Sequence, residues 1–216
     1  MTTKGIVYYT DNQLNVKIAK RVQKQLNSIG LPIVSASLKP MAHFGSNICL
    51  NLKRGKEAYL KQITTALKAS DGDIIYFCEH DVLYHPSHFD FTPPEKDYFY
   101  FNLNVWKWNT EKNYGLKVDD CKQVSGMCCY RELALNHYRN LDITKRHYEP
   151  QHNRVGWSSE YPIIDIRHKN NLTKSRWRKD QFRNQKYTKG WIESNYIPGW
   201  ENNYNGKLSF KIGSYL

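Results

Sequence analysis

Short apolar runs and apolar residues at helical spacing take turns along the first third of this chain. Ile6-Val7-Tyr8-Tyr9 is β-rich and ends in the turn chemistry of Thr10-Asp11-Asn12. From Asn15 to Ile29, the positions Val16, Ile18, Ala19, Val22, Leu26 and Ile29 keep helical spacing, and Gly30 supplies a C-terminal stop. Pro32 to Ser37 predicts a second strand, completing the strand–helix–strand opening of a parallel sheet. Residues 38–54 carry no period and predict a loop. Lys56 to Ala69 predicts a helix with Tyr59, Leu60, Ile63, Ala66 and Leu67 on one face. Asp73 to Cys78 is nearly continuous in apolar residues, as in a strand buried on both faces, and it stops abruptly at Glu79-His80-Asp81.

Further along, Tyr98 to Trp108 alternates aromatic and polar residues and predicts one strand. A short strand at Gln123-Val124 leads to Ser125-Gly126, a helix is expected from Cys128 to Leu141, and a last strand from Tyr161 to Ile166 ends at Arg167-His168. The expected fold class is therefore α/β, with a mostly parallel central sheet flanked by helices and a basic segment after it. At 216 residues the chain fits a single domain.

Charge narrows the partners. The chain has 32 Lys and Arg against 20 Asp and Glu, a net +12. That favours anionic partners: nucleotide phosphates, nucleic acid or an acidic membrane surface. Five cysteines, at 49, 78, 121, 128 and 129, show no Cys-x-x-Cys spacing. The N-terminus lacks an apolar signal core, and no run approaches the ~20 apolar residues of a spanning helix. Reduced thiols, serving as core filler, and a cytoplasmic location are expected.

The chemistry concentrates at one position. In open α/β sheets, ligands bind beyond the carboxyl ends of the strands. A buried strand that ends in Glu79 and Asp81 puts two carboxylates there, one residue apart. They repel each other unless a cation lies between them, and hard oxygen ligands suit Mg²⁺ or Mn²⁺. Strand alternation would turn His80 away from both acids.

The segment ALKASDGDIIYFCEHDVLYHPSHFDF resembles the core of GT-A-type glycosyltransferases, in which a helix, a turn and a buried strand deliver an acidic metal motif, usually Asp-x-Asp. Here the motif is Glu79-His80-Asp81. The resemblance implies a sugar transfer from a nucleotide-sugar, a UDP-sugar being the first choice, with Mn²⁺ or Mg²⁺ as cofactor. Residues 1–110 would form the nucleotide-sugar and metal half, and 111–216 the acceptor half. It implies Asp81 as the main metal ligand, Glu79 on the donor ribose or on the metal, and His168 as a late further ligand. Tyr9, Thr10 and Asp11 would grip the nucleoside, with Ser35, Lys53 and Lys174 toward the rest of the donor. Ser125-Gly126 resembles the small-residue segment beside the donor sugar. Gly156-Trp157-Ser158-Ser159-Glu160 resembles the Trp-Gly-x-Glu-Asp segment of inverting members, with Tyr161 where the second acid would stand. Glu160 is then the general base and the transfer inverts; with no acid on that side, a retaining route is implied.

From Arg167 to Lys189 there are nine Lys or Arg and one acid, Asp180, with Trp177, Phe182 and Tyr187 interleaved. Basic residues mixed with aromatics suit a phosphate backbone and exposed bases. Trp157, Arg176, Trp177 and Arg178 are the expected acceptor contacts. The acceptors in view are hydroxymethylated pyrimidine in phage-type DNA (which would put the protein in the host cytoplasm), or a glycan or glycolipid. A nucleic-acid-binding module without catalysis is a further alternative.

Overall fold

The computed structural model describes residues 2–109, 114–141, 149–168 and 189–200. In chain order they form β1 (Lys4–Thr10), α1 (Val16–Ser28), β2 (Ile33–Ser37), β3 (Ser46–Cys49), α2 (Lys56–Ala69), β4 (Ile74–Glu79), β5 (Val82–Leu83), β6 (Phe99–Asn102), β7 (Val105–Asn109), β8 (Tyr114–Lys117), β9 (Met127–Tyr130), α3 (Arg131–Arg139), β10 (Arg154–Trp157), β11 (Ile163–Arg167) and β12 (Ile192–Ser194). The first sheet has the order β10-β6-β9-β4-β1-β2-β3. All its strands run one way except β9, which is antiparallel to both β4 and β6. The second sheet has the order β12-β8-β7-β11-β5 and is mostly antiparallel.

The continuous apolar runs are explained by a three-layer packing. In β1 and β4, Ile6, Tyr8, Ile74, Tyr76 and Cys78 face one way, into a core shared with Val22 and Leu26 of α1 and with Trp106, Trp108 and Ile163 of the second sheet. Val7, Tyr9, Ile75 and Phe77 face the other way, against Leu60, Ile63 and Leu67 of α2 and Ala134, Leu135 and Tyr138 of α3. A strand covered on both faces has no polar side to show, which is why alternation is missing from its sequence. Cutting one such side chain back, as in Ile75→Ala, should cost about 3 kcal/mol. Asn15 caps α1 by accepting from Lys17 N, and Gly30 follows the helix with φ +78. Gln62 pins α2 from inside, donating to the carbonyls of Thr10 and Ala36 at the ends of β1 and β2.

Several expectations are revised. The run from Tyr98 to Trp108 is two strands in different sheets, with the chain bending at Asn102–Asn104. The helix expected from Cys128 begins at Arg131. Met127–Tyr130 is a strand, because its buried apolar residues complete the gap between β4 and β6. Val124–Gly126 is a 3-10 turn rather than a strand. The loop at 38–54 contains β3, reached through Gly45, whose φ of +59 and closeness to the Ile33 carbonyl leave no room for a side chain. No helix among the described residues is long and apolar enough to cross a membrane. All five cysteines are free thiols, and Cys78, Cys128 and Cys129 are buried.

Candidate metal and donor site

The strand order 3-2-1-4 makes the sheet doubly wound, with its switch point between β1 and β4, where open α/β sheets hold their ligands. Both tips are polar. β1 ends in Thr10 and Asp11, and β4 ends in Glu79, after which the chain turns through His80 and Asp81 and enters the second sheet as β5.

The short β5 decides what meets Asp81. It pairs antiparallel with β11, Val82 opposite Asp165, and the ladder continues with Ile166 N donating to the Asp81 carbonyl at 2.8 Å. The next residues of β11 therefore rise past Asp81, and His168 Nε2 comes to 3.2 Å from Asp81 Oδ2. His80 joins them. It lies in the turn, where strand alternation has lapsed, so the expectation that it faces away fails. One ligand atom each from His80, Asp81 and His168 lie within 4.8 Å of one another. A cation with bonds near 2.1 Å spans about 4.2 Å between opposite ligands, so small side-chain rotations would close the trio on one. The His80 ring is anchored by Nδ1 against Thr10 Oγ1 at 2.5 Å, with Asp11 Oδ1 at 3.7 Å. Such an anchor orients an imidazole ligand through its other nitrogen.

Glu79 is half-buried next to this trio but faces a different partner: Tyr9 Oη donates to its Oε1 at 2.9 Å. Burial, then the nearby Asp81 carboxylate, push the Glu79 carboxyl up to about 8, against the pull of Tyr9. Tyr9 itself is 3% exposed, its ring edge-on to Tyr59, so its hydroxyl rather than its ring reaches the site. Asp11 is paired with Arg54. Ser35 is fully buried, donating to the Phe44 carbonyl and accepting from Asn47, and so ties β2 to the chain leading into β3. Lys53 is exposed before α2.

On the second sheet, Asp165 stands opposite Lys107 in the parallel β7–β11 register. Lys107 Nζ donates to Asp165 Oδ2 at 2.9 Å, and Arg167 reaches Asp165 Oδ1 at 3.3 Å. Burial works against all three charges, but the pairing outweighs it: Asp165 is held below the usual carboxylate range, and Lys107 and Arg167 above their usual values. Glu79 and Asp81 add to the field that holds the Arg167 proton. Sequence reading did not single out Lys107, Asp165 or Arg167 as site residues. The available signal was a lone charge inside an apolar strand, Lys between two Trp in VWKWN and Asp among Ile in IIDIR, which marks a buried pair.

Ser125 and Gly126 lie in the 3-10 turn before β9, both buried. Glu160 is exposed in the crossing from β10 to β11. Trp157 on β10 is half-buried, its ring stacked on Phe91 at 4.2 Å and on His88 at 5.5 Å. Lys174, Arg176, Trp177 and Arg178 lie outside the described residues. A cavity of about 340 Å³ opens elsewhere, at the amino-terminal ends of β6 and β10, lined by Phe99, His137 and Asn153 among others. That is the end of the sheet opposite the carboxyl end of β4, which the trio follows.

No protein-family model and no curated protein matches the chain. Solved structures with a similar chain path include the bifunctional IspDF from Campylobacter jejuni, at 12% identity over 74% of this chain and 50% of that one, with a TM-score of 0.49. HddC from Yersinia pseudotuberculosis matches at 11% identity over 76% and 93%, with a TM-score of 0.44. A glycosyltransferase involved in the glycosylation of the major capsid of PBCV-1 matches at 8% identity over 72% and 82%, with a TM-score of 0.41. The chain spans half the length of IspDF. At these values, what the site can do has to be read from its own residues.

Proposed function

We propose that this chain is a metal-dependent glycosyltransferase that moves a sugar from a nucleotide-sugar, a UDP-sugar in the first instance, to an acceptor hydroxyl. The observation that carries the reading is the convergence of His80, Asp81 and His168 at the sheet's switch point. A donor set of one carboxylate and two imidazoles suits Mn²⁺ better than Mg²⁺, which prefers oxygen. The bound cation would neutralise charge on the departing diphosphate.

The protein's own groups have the following parts. Asp81, His168 and His80 hold the cation. Arg167, kept charged by Asp165, adds positive potential where diphosphate oxygens would lie. Asp11, next to Thr10 at the tip of β1, is a hydrogen-bond acceptor for the nucleoside. Glu79, bonded to Tyr9 beside the trio, is proposed to reach the donor ribose, or the metal through water. Glu160 is the carboxylate proposed to take the acceptor's proton, with inversion at the anomeric carbon, and Trp157 is the proposed acceptor-side aromatic. The net charge of +12 supports an anionic acceptor, and DNA bearing 5-hydroxymethylated pyrimidine is the first to try.

The test is a thermal-shift panel of nucleotide-sugars with and without Mn²⁺. The right donor should raise the melting temperature only with metal, and Asp81→Ala should abolish the rise. Stabilisation by a nucleoside triphosphate but by no nucleotide-sugar would replace this reading with nucleotidyl transfer.

A further inference from the structure

Four polar side chains run in a line from β11 to the turn before β9, and each can bond the next in only one sense. Asp165, Lys107 and Ser125 are 6, 7 and 4% exposed. The Asp165 carboxylate only accepts. The Lys107 ammonium only donates, to Asp165 Oδ2 at 2.9 Å and to Gln123 Oε1 at 2.7 Å. That turns the amide oxygen of Gln123 toward the lysine, so its Nε2 has to donate, and it does so to Ser125 Oγ at 2.7 Å. The Ser125 oxygen is thereby used as an acceptor, and its proton must be given outward. Among the described residues no acceptor for that proton lies within hydrogen-bond reach.

Ser125 stands where such a proton has a use. β9 is antiparallel to β4 with Tyr76 opposite Cys128, so the residues just before Met127 come level with Glu79 at the switch point. A hydroxyl compelled to donate selects an oxygen acceptor, and the hydroxyls of a sugar are such acceptors.

We infer that Lys107 and Gln123 are positioning residues which, through the one-way chain from Asp165, make the Ser125 hydroxyl a donor to the sugar of the bound nucleotide-sugar and so set which sugars are held. This rests on the reading of the site as a nucleotide-sugar site. Lys107 acts without touching the ligand, its charge fixing the sense of every bond beyond it. Loss of that sense costs the sugar contact and leaves the nucleotide contacts alone.

Titration calorimetry with Mn²⁺ tests this, using UDP, UDP-glucose, UDP-galactose and UDP-N-acetylglucosamine as probes. The wild type should bind at least one UDP-sugar more tightly than UDP. Ser125→Ala and Gln123→Leu should each remove about tenfold of that preference with UDP binding unchanged. The double variant should lose no more than either single one, because both break one path. Gln123→Glu, nearly isosteric, still accepts from Lys107 but takes the Ser125 proton instead of donating, so it should abolish the preference too. It also serves if Gln123→Leu does not fold. Ser125→Thr should retain the preference. A wild-type preference kept in Gln123→Leu or Gln123→Glu, additive losses, or equal wild-type binding of UDP and all three sugars would overturn the inference alone. Failure of the wild type to bind any of the four probes with Mn²⁺ would overturn the nucleotide-sugar reading, and the inference with it.

Discussion

Among the described residues the chain passes from the first sheet to the second after β4, after β6 and after β10, and the first two of these bends solve the same problem by different chemistry. After β6 it bends at Asn102–Asn104, where the bonds are mostly between neutral amides and hydroxyls. Asn102 Nδ2 donates to Ser159 Oγ at 2.8 Å and to His88 Nδ1 at 3.0 Å, its Oδ1 accepts from Asn104 N, and Asn104 Nδ2 donates to the Ser159 carbonyl. After β4 the chain bends at His80-Asp81, where carboxylates, imidazoles, an ammonium and a guanidinium crowd together. Neutral side chains suffice to carry a chain between these sheets. The charges at the bend after β4 therefore exceed what the fold requires, and groups that must be desolvated without structural need mark a place kept for a ligand.

If that contrast is right, the two bends should fail in different ways. The largest effect expected is on activity: Asp81→Ala should lower metal-dependent sugar transfer or donor hydrolysis by at least about 100-fold. The urea midpoint of the metal-free protein should move little, because the carboxylate both pairs with His168 and opposes ionisation of Glu79. Asn102→Ala should do the reverse, costing about 2–3 kcal/mol of stability in urea unfolding by stranding Ser159, Asn104 and His88, while Mn²⁺ binding to the folded fraction is unchanged.

A pH titration sharpens the contrast. Burial pushes the His88 imidazole down to about 3. The unfolded chain takes up this proton near pH 6.5 but the folded chain does not until about pH 3, so stability should fall as pH drops through that window. The slope should reach about 1 kcal/mol per pH unit at its steepest, and His88→Gln should flatten it in urea melts. The smallest effect belongs to Arg54→Met. Its pair with Asp11 is exposed on the arginine side, so less than about 1 kcal/mol of thermal stability should be lost, and less again at high salt.

Legibility in the sequence followed the range of the interactions. β1, α1, β2, α2 and β4 were readable because each is set by its own periodicity and stop signals, Gly30 after α1 being one. Asp81 was readable because an acid straight after a buried run is a local anomaly. Cys128–Tyr130 of β9 reads as helix because it flows without a break into α3, and an apolar run that short fits either period. The approach of His168 to Asp81 hangs on a two-residue strand, Val82-Leu83, too short for any pattern. It was nominated only through a family resemblance. The lone charges of VWKWN and IIDIR hint at a buried pair, but the join from Lys107 through Gln123 to Ser125 has no sequence signal, because the tertiary fold alone sets the register of those elements.

The ladder that brings Asp81 and His168 together spans 87 residues of sequence. Contacts that distant form after local ones, since closing so long a loop is entropically costly. During synthesis, a chain halted before residue 168 would have Glu79 and Asp81 but only two of the three clustered ligands. If the trio holds a cation, affinity for it would then report that β11 has docked against β5, with the ion acting as a seal on that junction.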